Sequence, residues 1–493
     1  VWRNGLAKDF GDFQTPLPLV SSILETLNTL GKTWTRVLEP TCGQGNFIEG
    51  FFTRVAPPRE IQGIEIQLHY VNRARHLIEQ APSLHITIER GNIFDINLQT
   101  DVSWSDKGSL LVVGNPPWVT NAGLGVLESK NLPQKTNLKG LSGLDARTGK
   151  ANFDVAEYIW LKLIRELAAE QPTIALLCKT SVARNVLQHS YDANLPITQA
   201  SLWKIDAKKW FHAAVDACLF CVQVGAGEPS YQASVYQDLY ATQSKSIMGI
   251  VDGHIVADVD AHTHIFVGSN MTSVTWRQGV KHDAASAMEL AFDEEGQFKN
   301  KLGEGVIVEP EYVYSLLKSS DLFHFDRIRP KKAVIVTHKK LGEDTRTLQQ
   351  HAPQLWQYLT QHKQYFERRK SSIYENQPPF TMFGIGDYSF APYKVAISGL
   401  HKVPKFRVIE PVNGRPVMLD DTCYFIPCSS LQEATQLANF LNDPVCLNYL
   451  NSIVFLDAKR PITKKLLQRI HIPSLIKRAE PDAVHELESI VKT

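Results

Sequence analysis

Leu110, Leu111, Val112 and Val113 form a run with no polar residue and no charge, and it stops at Gly114. Branched apolar residues in an unbroken run, rather than in alternation, mark a strand buried on both faces. Such a strand needs a layer on each side, so it commits this part of the chain to helices packed around a parallel sheet. The segment that follows is Asn115-Pro116-Pro117-Trp118. Each proline has a fixed φ and no N–H, which stiffens the segment and turns its carbonyls outward.

Those four residues suit one kind of chemistry. The carboxamide oxygen of Asn115 and the carbonyl of Pro116 are two acceptors for one exocyclic amino group, and Trp118 can stack on the flat ring that carries it. The lone pair of adenine N6 is delocalised into its ring. Holding both N–H bonds draws the nitrogen towards tetrahedral geometry and frees that pair for attack. A proline-rich turn with an incidental tryptophan would use the same residues, so the reading depends on what surrounds them.

The surroundings repeat one pattern. Thr15-Pro16 reads as a helix entry before the amphipathic run Leu17 to Leu30. Thr35 to Glu39 is a short strand that breaks into Pro40-Thr41-Cys42-Gly43-Gln44-Gly45-Asn46-Phe47, a glycine turn expected to open a helix through Val55. It lacks the Lys-Ser/Thr that would hold a triphosphate, and Glu39 beside it suits a cationic ligand group better than a phosphate. A second strand, Ile61 to Ile66, carries Glu65 at its end, 22 residues after Gly43, the separation at which a carboxylate reaches ribose hydroxyls. His69 to Ala81 is expected to be helical. His85 to Glu89 is a third strand, closing on Gly91-Asn92, and Val155 to Ala169 is the next helix. Thr173 to Cys178 is a fifth strand, and Ser201 to Ile205 with Ala217 to Val224 would supply a closing hairpin. Strands alternating with helices at this spacing predict a doubly wound α/β sheet, whose ligands bind at the carboxyl ends of the strands. Gly43, Glu65, Asn92 and Asn115 all fall there.

The ordered set Phe-Gln-Thr-Pro, Glu-Pro-Thr-Cys-Gly-Gln-Gly-Asn-Phe, Gly-Ile-Glu and Asn-Pro-Pro-Trp resembles the γ-type, S-adenosylmethionine-dependent DNA amino-methyltransferases of bacterial restriction–modification systems, most of which methylate adenine N6. The resemblance spans roughly residues 10 to 225. It implies a Rossmann-like class I methyltransferase sheet. Gln14, Thr15 and Pro16 would line the methionine end of the cofactor site. Glu39, Thr41, Gly43, Gly45 and Phe47 would form the cofactor loop, and Glu65 would hold the ribose. Asn115, Pro116, Pro117 and Trp118 would be the catalytic tetrad, with Asn115 also touching the cofactor. Phe153 would lie near the cofactor's adenine ring, and Phe211 would sandwich the extruded base against Trp118. One position departs from the pattern. Where the family usually has an aspartate facing the cofactor's adenine amino group, this chain has Asn92, whose amide accepts more weakly than a carboxylate.

Charge is uneven in a chain whose net formal charge is only +1. Between Arg327 and Val408 fifteen Lys/Arg stand against five Asp/Glu, a local excess of +10, with Trp356, Tyr365, Tyr374, Phe383 and Tyr393 interleaved. Basic residues for phosphates and planar groups for bases or sugars are the footprint of a DNA-reading surface, here double-stranded DNA. A solvated basic face over an aromatic core is the plainer reading. Arg368, Arg369, Lys370, Lys394, Lys402 and Lys405 are the expected backbone contacts. Phe383 to Phe390, Val395 to Leu400 and Phe455 to Pro461 also resemble the carboxy-terminal target-recognition regions of the larger members of the same family. The expected organisation is a catalytic domain over 1–228, a connector and small subdomain with short β-like runs over 229–275, and a mixed α+β target-recognition domain over 276–493.

Other classes fit less well. Seven scattered cysteines suit a reducing cytoplasm rather than a disulfide framework, and no apolar run is long enough to span a membrane. Cys218 and Cys221 lie in a predicted strand, where their sulfurs face opposite ways, so no metal site is expected. Cytosine N4 methylation is the nearest chemical alternative. A recognition subunit of a larger defence complex, or a partnership with a separate restriction endonuclease, is also compatible with the sequence.

Overall fold

The computed structural model describes residues 13–119, 154–265, 275–292, 297–324 and 330–470. The chain divides into two compact units at residues 260 and 261.

In the first unit the strands are β1 (Arg36–Glu39), β2 (Glu60–Glu65), β3 (His85–Arg90), β4 (Leu110–Gly114), β5 (Thr173–Lys179), β6 (Ile197–Ile205), β7 (Ala217–Val224), β8 (Ala233–Tyr236), β9 (Ser246–Val251) and β10 (His254–Val256). They form one sheet in the order β10-β9-β8-β6-β7-β5-β4-β1-β2-β3. β3, β2, β1, β4 and β5 are mutually parallel, and β7 lies antiparallel between β5 and β6. The strand order reverses between β1 and β4. In a doubly wound sheet that is where the crevice for a ligand opens, beyond the carboxyl ends of the strands.

All five residues of β4 are buried, as an unbroken apolar run requires. Helix α1 (Leu17–Asn28) buries Leu19, Val20, Ile23, Leu24 and Leu27, one stripe at helical spacing, in the same core as Val37, Ile61, Leu111 and Val113. Its first turn is entered through Pro16 in an extended conformation with no side-chain cap, so the expected capping role of Thr15 is not realised. The helix expected to run to Val55 is a single turn, α2 (Asn46–Glu49), entered through Gly45 at φ +87° and left at Gly50. Helix α3 (Leu68–Gln80) lies between β2 and β3, and α4 (Val155–Glu166) precedes β5.

Part of the segment expected to form a connector and small subdomain belongs to the first sheet. β8 pairs with β6, and β9 and β10 follow in antiparallel register, so 233–256 extend the first sheet by three strands.

The second unit is a mixed α+β body with two sheets. One has the order β11-β19-β16-β17, built from Arg277–Gln278 (β11), Tyr393–Ser398 (β16), Phe406–Ile409 (β17) and Cys423–Cys428 (β19). The other has the order β13-β12-β15-β14-β18, built from Glu289–Phe292 (β12), Phe298–Asn300 (β13), Val313–Leu317 (β14), Lys332–Ile335 (β15) and Met418–Leu419 (β18). Most pairings are antiparallel; β14 with β18 is parallel. Leu431–Leu441 and Pro444–Ile453 are helices capped by Ser430 and Asp443.

Candidate active site

The carboxyl ends of β1, β2, β3 and β4 open onto one cleft. Its lining includes Gln14, Thr15, Glu39, Thr41, Gly43, Phe47, Glu65, Asn92, Asn115 and Pro117, all expected from sequence, together with Phe13, Asn46, Ile66, Phe94, Val155 and Ile159. Pro116 and the buried Trp118 continue directly from this wall. Phe153 lies outside the described residues.

Glycine makes the loop after β1 possible. Gly43 sits at φ +54°, and a Cβ there would come within 2.6 Å of the Gln14 Oε1. Gly45 at φ +87° would place a Cβ 2.7 Å from Leu77. Glu65, buried at the end of β2, accepts the Gly43 N–H through one carboxylate oxygen at 2.9 Å and the Gln67 N–H through the other at 2.7 Å. It is therefore a rigid group on the cleft wall.

Glu39 is different. It is 3% exposed, and its Oε2 is buried without a hydrogen-bond partner. Burial, and then the negative charge of Glu65, hold its carboxyl well above the ordinary range, against a partial opposing effect from the Ile48 backbone. A buried carboxyl with an open acceptor beside a second carboxylate favours its neutral form unless a cationic group stands next to it.

Asn115 carries the second orphaned atom. Its Nδ2 donates to the Phe13 carbonyl at 2.9 Å, which fixes the amide, and its Oδ1 is buried with no partner. The Thr41 hydroxyl is orphaned in the same way. Asn92 lines the cleft with its Oδ1 already accepting the Phe94 N–H at 3.2 Å.

The expected aromatic sandwich takes another form. Trp118 and Phe211 meet edge to face, with centroids 5.1 Å apart and planes at 72°. Phe13 completes the cluster at 5.6 Å from Trp118 and 5.8 Å from Phe211. The slot between two parallel rings that the expected sandwich requires is filled by the rings themselves.

Comparison with known proteins gives the chain a family. No family model matches the chain. The type II methyltransferase M.NspV of Nostoc sp. (strain ATCC 29411 / PCC 7524) is 35% identical over 470 residues, 95% of this chain and 97% of that protein. The chain belongs to the type II methyltransferases. Among solved structures, the type IIL restriction–modification enzyme MmeI, determined in complex with DNA, matches over 97% of this chain and 68% of that one, with a TM-score of 0.52 and 12% identity. That likeness is one of fold. A structure from a type I restriction–modification system matches over 48% of this chain and 46% of that one at a TM-score of 0.33 and 15% identity, too low to bear on the fold.

In this type II methyltransferase the lining residues that sequence reasoning missed are mostly apolar. Ile66 follows Glu65, and Phe94 lies two residues beyond Asn92 with Tyr158 edge-on at 5.0 Å. Their signal is an apolar residue placed just after a polar strand end. Phe13 and Asn46 give no such signal: the Phe13 carbonyl accepts from Asn115 and the Asn46 amide donates to the Thr15 carbonyl, contacts that no local pattern reports.

Two of the expected DNA contacts need correction. Lys394, in β16, is 1% exposed; its Nζ donates to the Ala391 carbonyl and lies 5.8 Å from the Phe425 ring centre. Burial brings its pKa down to about 8, and no phosphate can reach it there. Arg369 is half-buried, donates to the Phe366 and Thr381 carbonyls and lies 3.8 Å from the centre of the Tyr374 ring, so it braces its own domain. Arg368, Lys370, Lys402 and Lys405 are exposed. Among the described residues no helix is long and apolar enough to cross a membrane, and no group of three or more His, Cys, Asp or Glu is placed to hold a metal.

Proposed function

We propose that the chain is a sequence-specific DNA methyltransferase that moves a methyl group from S-adenosylmethionine to adenine N6, as the modification enzyme of a restriction–modification system. The observation that carries this reading is the Asn115 amide: its nitrogen is tied down and its oxygen is buried, unpartnered and set in the cleft wall. An acceptor left unsatisfied at a cost of about 1–3 kcal/mol is a site waiting for a donor.

The residues present fit the cofactor. The open acceptor of Glu39 would take the amino-acid ammonium, the fixed carboxylate of Glu65 the ribose hydroxyls, and Ile66 and Phe94 would flank the adenine, with Asn92 at its edge. Thr15 and Gln14 would close the methionine end. When bound, S-adenosylmethionine supplies a methyl group on a positively charged sulfur. The chain's own residues do the rest. Asn115 Oδ1 and the Pro116 carbonyl accept both hydrogens of the target amino group, which concentrates its lone pair on nitrogen, while Pro117 keeps the segment rigid. Trp118 and Phe211 offer ring faces to a base drawn out of the duplex, and positioning supplies much of the acceleration. Exposed Arg368, Lys370, Lys402 and Lys405 would neutralise DNA phosphates.

Sequencing the modified bases in DNA from cells that express the chain tests this reading. N6-methyladenine at one recurring sequence supports it. N4-methylcytosine would leave the mechanism and change the substrate, and unmodified DNA would refute both.

A further inference from the structure

The glycine loop and the catalytic amide belong to different strands, yet one short segment bonds to both. The Phe13 carbonyl accepts from Asn115 Nδ2 at 2.9 Å. The Thr15 carbonyl accepts from the Nδ2 of Asn46, the first residue of α2, at 2.7 Å. Between them, Gln14 Oε1 accepts the Gln44 N–H at 3.2 Å and lies over Gly43. Phe13, Gln14 and Thr15 also line the cleft, so a ligand that fills it touches this segment directly. The Phe13 ring is at the same time the third member of the cluster with Trp118 and Phe211.

We propose that Phe13–Thr15 is a coupling bridge: occupancy of the cofactor cleft strengthens capture of the target base by holding Asn115 in its productive orientation. The proposal rests on the cofactor and base assignments made above. Its physical basis is the symmetry of an amide. If Nδ2 were released from the Phe13 carbonyl, the side chain could turn over and present a donor to an amino group that is itself a donor. A ligand packed against residues 13–15 and the glycine loop opposes that release. Asn46 is then a positioning residue. It lines the cleft and reaches Asn115 through Thr15 and Phe13, and linkage requires the effect to be reciprocal, so a captured base must tighten the cofactor site by the same factor.

The test uses the full chain, S-adenosylhomocysteine and duplex DNA carrying 2-aminopurine at the target position identified by base sequencing. In the unaltered protein, S-adenosylhomocysteine should tighten DNA binding and base extrusion about fivefold or more, with the same factor on its own affinity in the reverse titration. Asn46→Asp keeps the size and removes the donor, and the factor should fall to within about twofold of one. Asn46→Gln restores an amide donor and should recover part of it, a recovery that a merely structural role would not give. A factor of one in the unaltered protein, or an undiminished factor in Asn46→Asp, overturns the proposal. Should Asn46→Asp fail to fold, hydrogen exchange on the unaltered protein decides. S-adenosylhomocysteine should slow exchange in peptides spanning residues 13–16, and no change there overturns the bridge. Failure of the unaltered protein to bind S-adenosylhomocysteine at all would instead refute the functional reading beneath it.

Discussion

Glu39 and Glu65 stand at the ends of two adjacent parallel strands, and the charge of Glu65, which is fixed by two backbone N–H groups, raises the pKa of Glu39 further above its ordinary value. The pair is unfavourable in the free protein and becomes favourable when a cation joins it. Its cost is borne by the fold and would be recovered on binding a cation.

That relationship separates stability from affinity. A carboxyl whose folded pKa is raised keeps its full stability contribution below the unfolded value near 4.5 and loses it as pH rises towards the folded value. At neutral pH, Glu39→Gln should therefore raise the melting temperature of the ligand-free protein. The same change should weaken S-adenosylmethionine about 10–100-fold, the worth of a charge-assisted hydrogen bond. In the parent, affinity should climb with pH through the raised Glu39 value, and in Glu39→Gln the profile should flatten. Calorimetric titration across pH, with thermal unfolding of the free protein, checks both halves.

The basic residues of the second unit divide into two groups with opposite expected behaviour. Arg368→Gln with Lys370→Gln should weaken DNA binding and reduce the slope of log affinity against log salt by about 0.9 per lost phosphate contact. Lys394→Met should leave that slope unchanged. A lysine whose folded pKa is lowered to about 8 opposes folding below that value, and stability rises with pH between about 8 and the unfolded value near 10.5. Removing the charge should thus stabilise the protein at pH 7 by about 1–3 kcal/mol, as is common when a buried charge gives way to an apolar side chain. Salt-dependent binding curves and urea unfolding separate the two groups.

Trp118→Ala and Phe211→Ala probe a closed aromatic cluster rather than an open slot. Base–aromatic stacking contributes about 1–3 kcal/mol per base, so each change should reduce 2-aminopurine fluorescence at the target position while S-adenosylmethionine affinity stays within about twofold. Unchanged fluorescence in both variants would remove the two rings from base capture.

Much of this site was legible in the sequence because a strand buried on both faces announces itself. β4 and β5 are short apolar runs, β1 and β2 mix polar residues with buried apolar ones, and the residues that close β1, β2 and β4 fall on one edge of the sheet by topology alone. That the short β-like runs β8, β9 and β10 join the first sheet was not legible. Their burial is mixed, their strands are three to six residues long, and neither strict alternation nor an apolar run distinguishes them from a connector. Lys394 read as a surface cation because its burial comes from strands β17 and β19 pairing on either side of β16, which no local pattern reports. The hold of Phe13 on Asn115 was invisible for a further reason: its acceptor is a backbone carbonyl, which every residue possesses.

The central claim is that an amide held by Phe13 activates a nucleobase amine beside a bound methyl donor. Transfer of tritiated methyl from S-adenosylmethionine to duplex DNA, with the labelled base identified, tests it most directly in the parent and in Asn115→Ala. Label is expected on adenine N6 in the parent. In Asn115→Ala, transfer should be slowed about 100–1,000-fold, with cofactor and DNA affinities within a few-fold of the parent. Label reaching DNA from Asn115→Ala at close to the parent rate would contradict the claim.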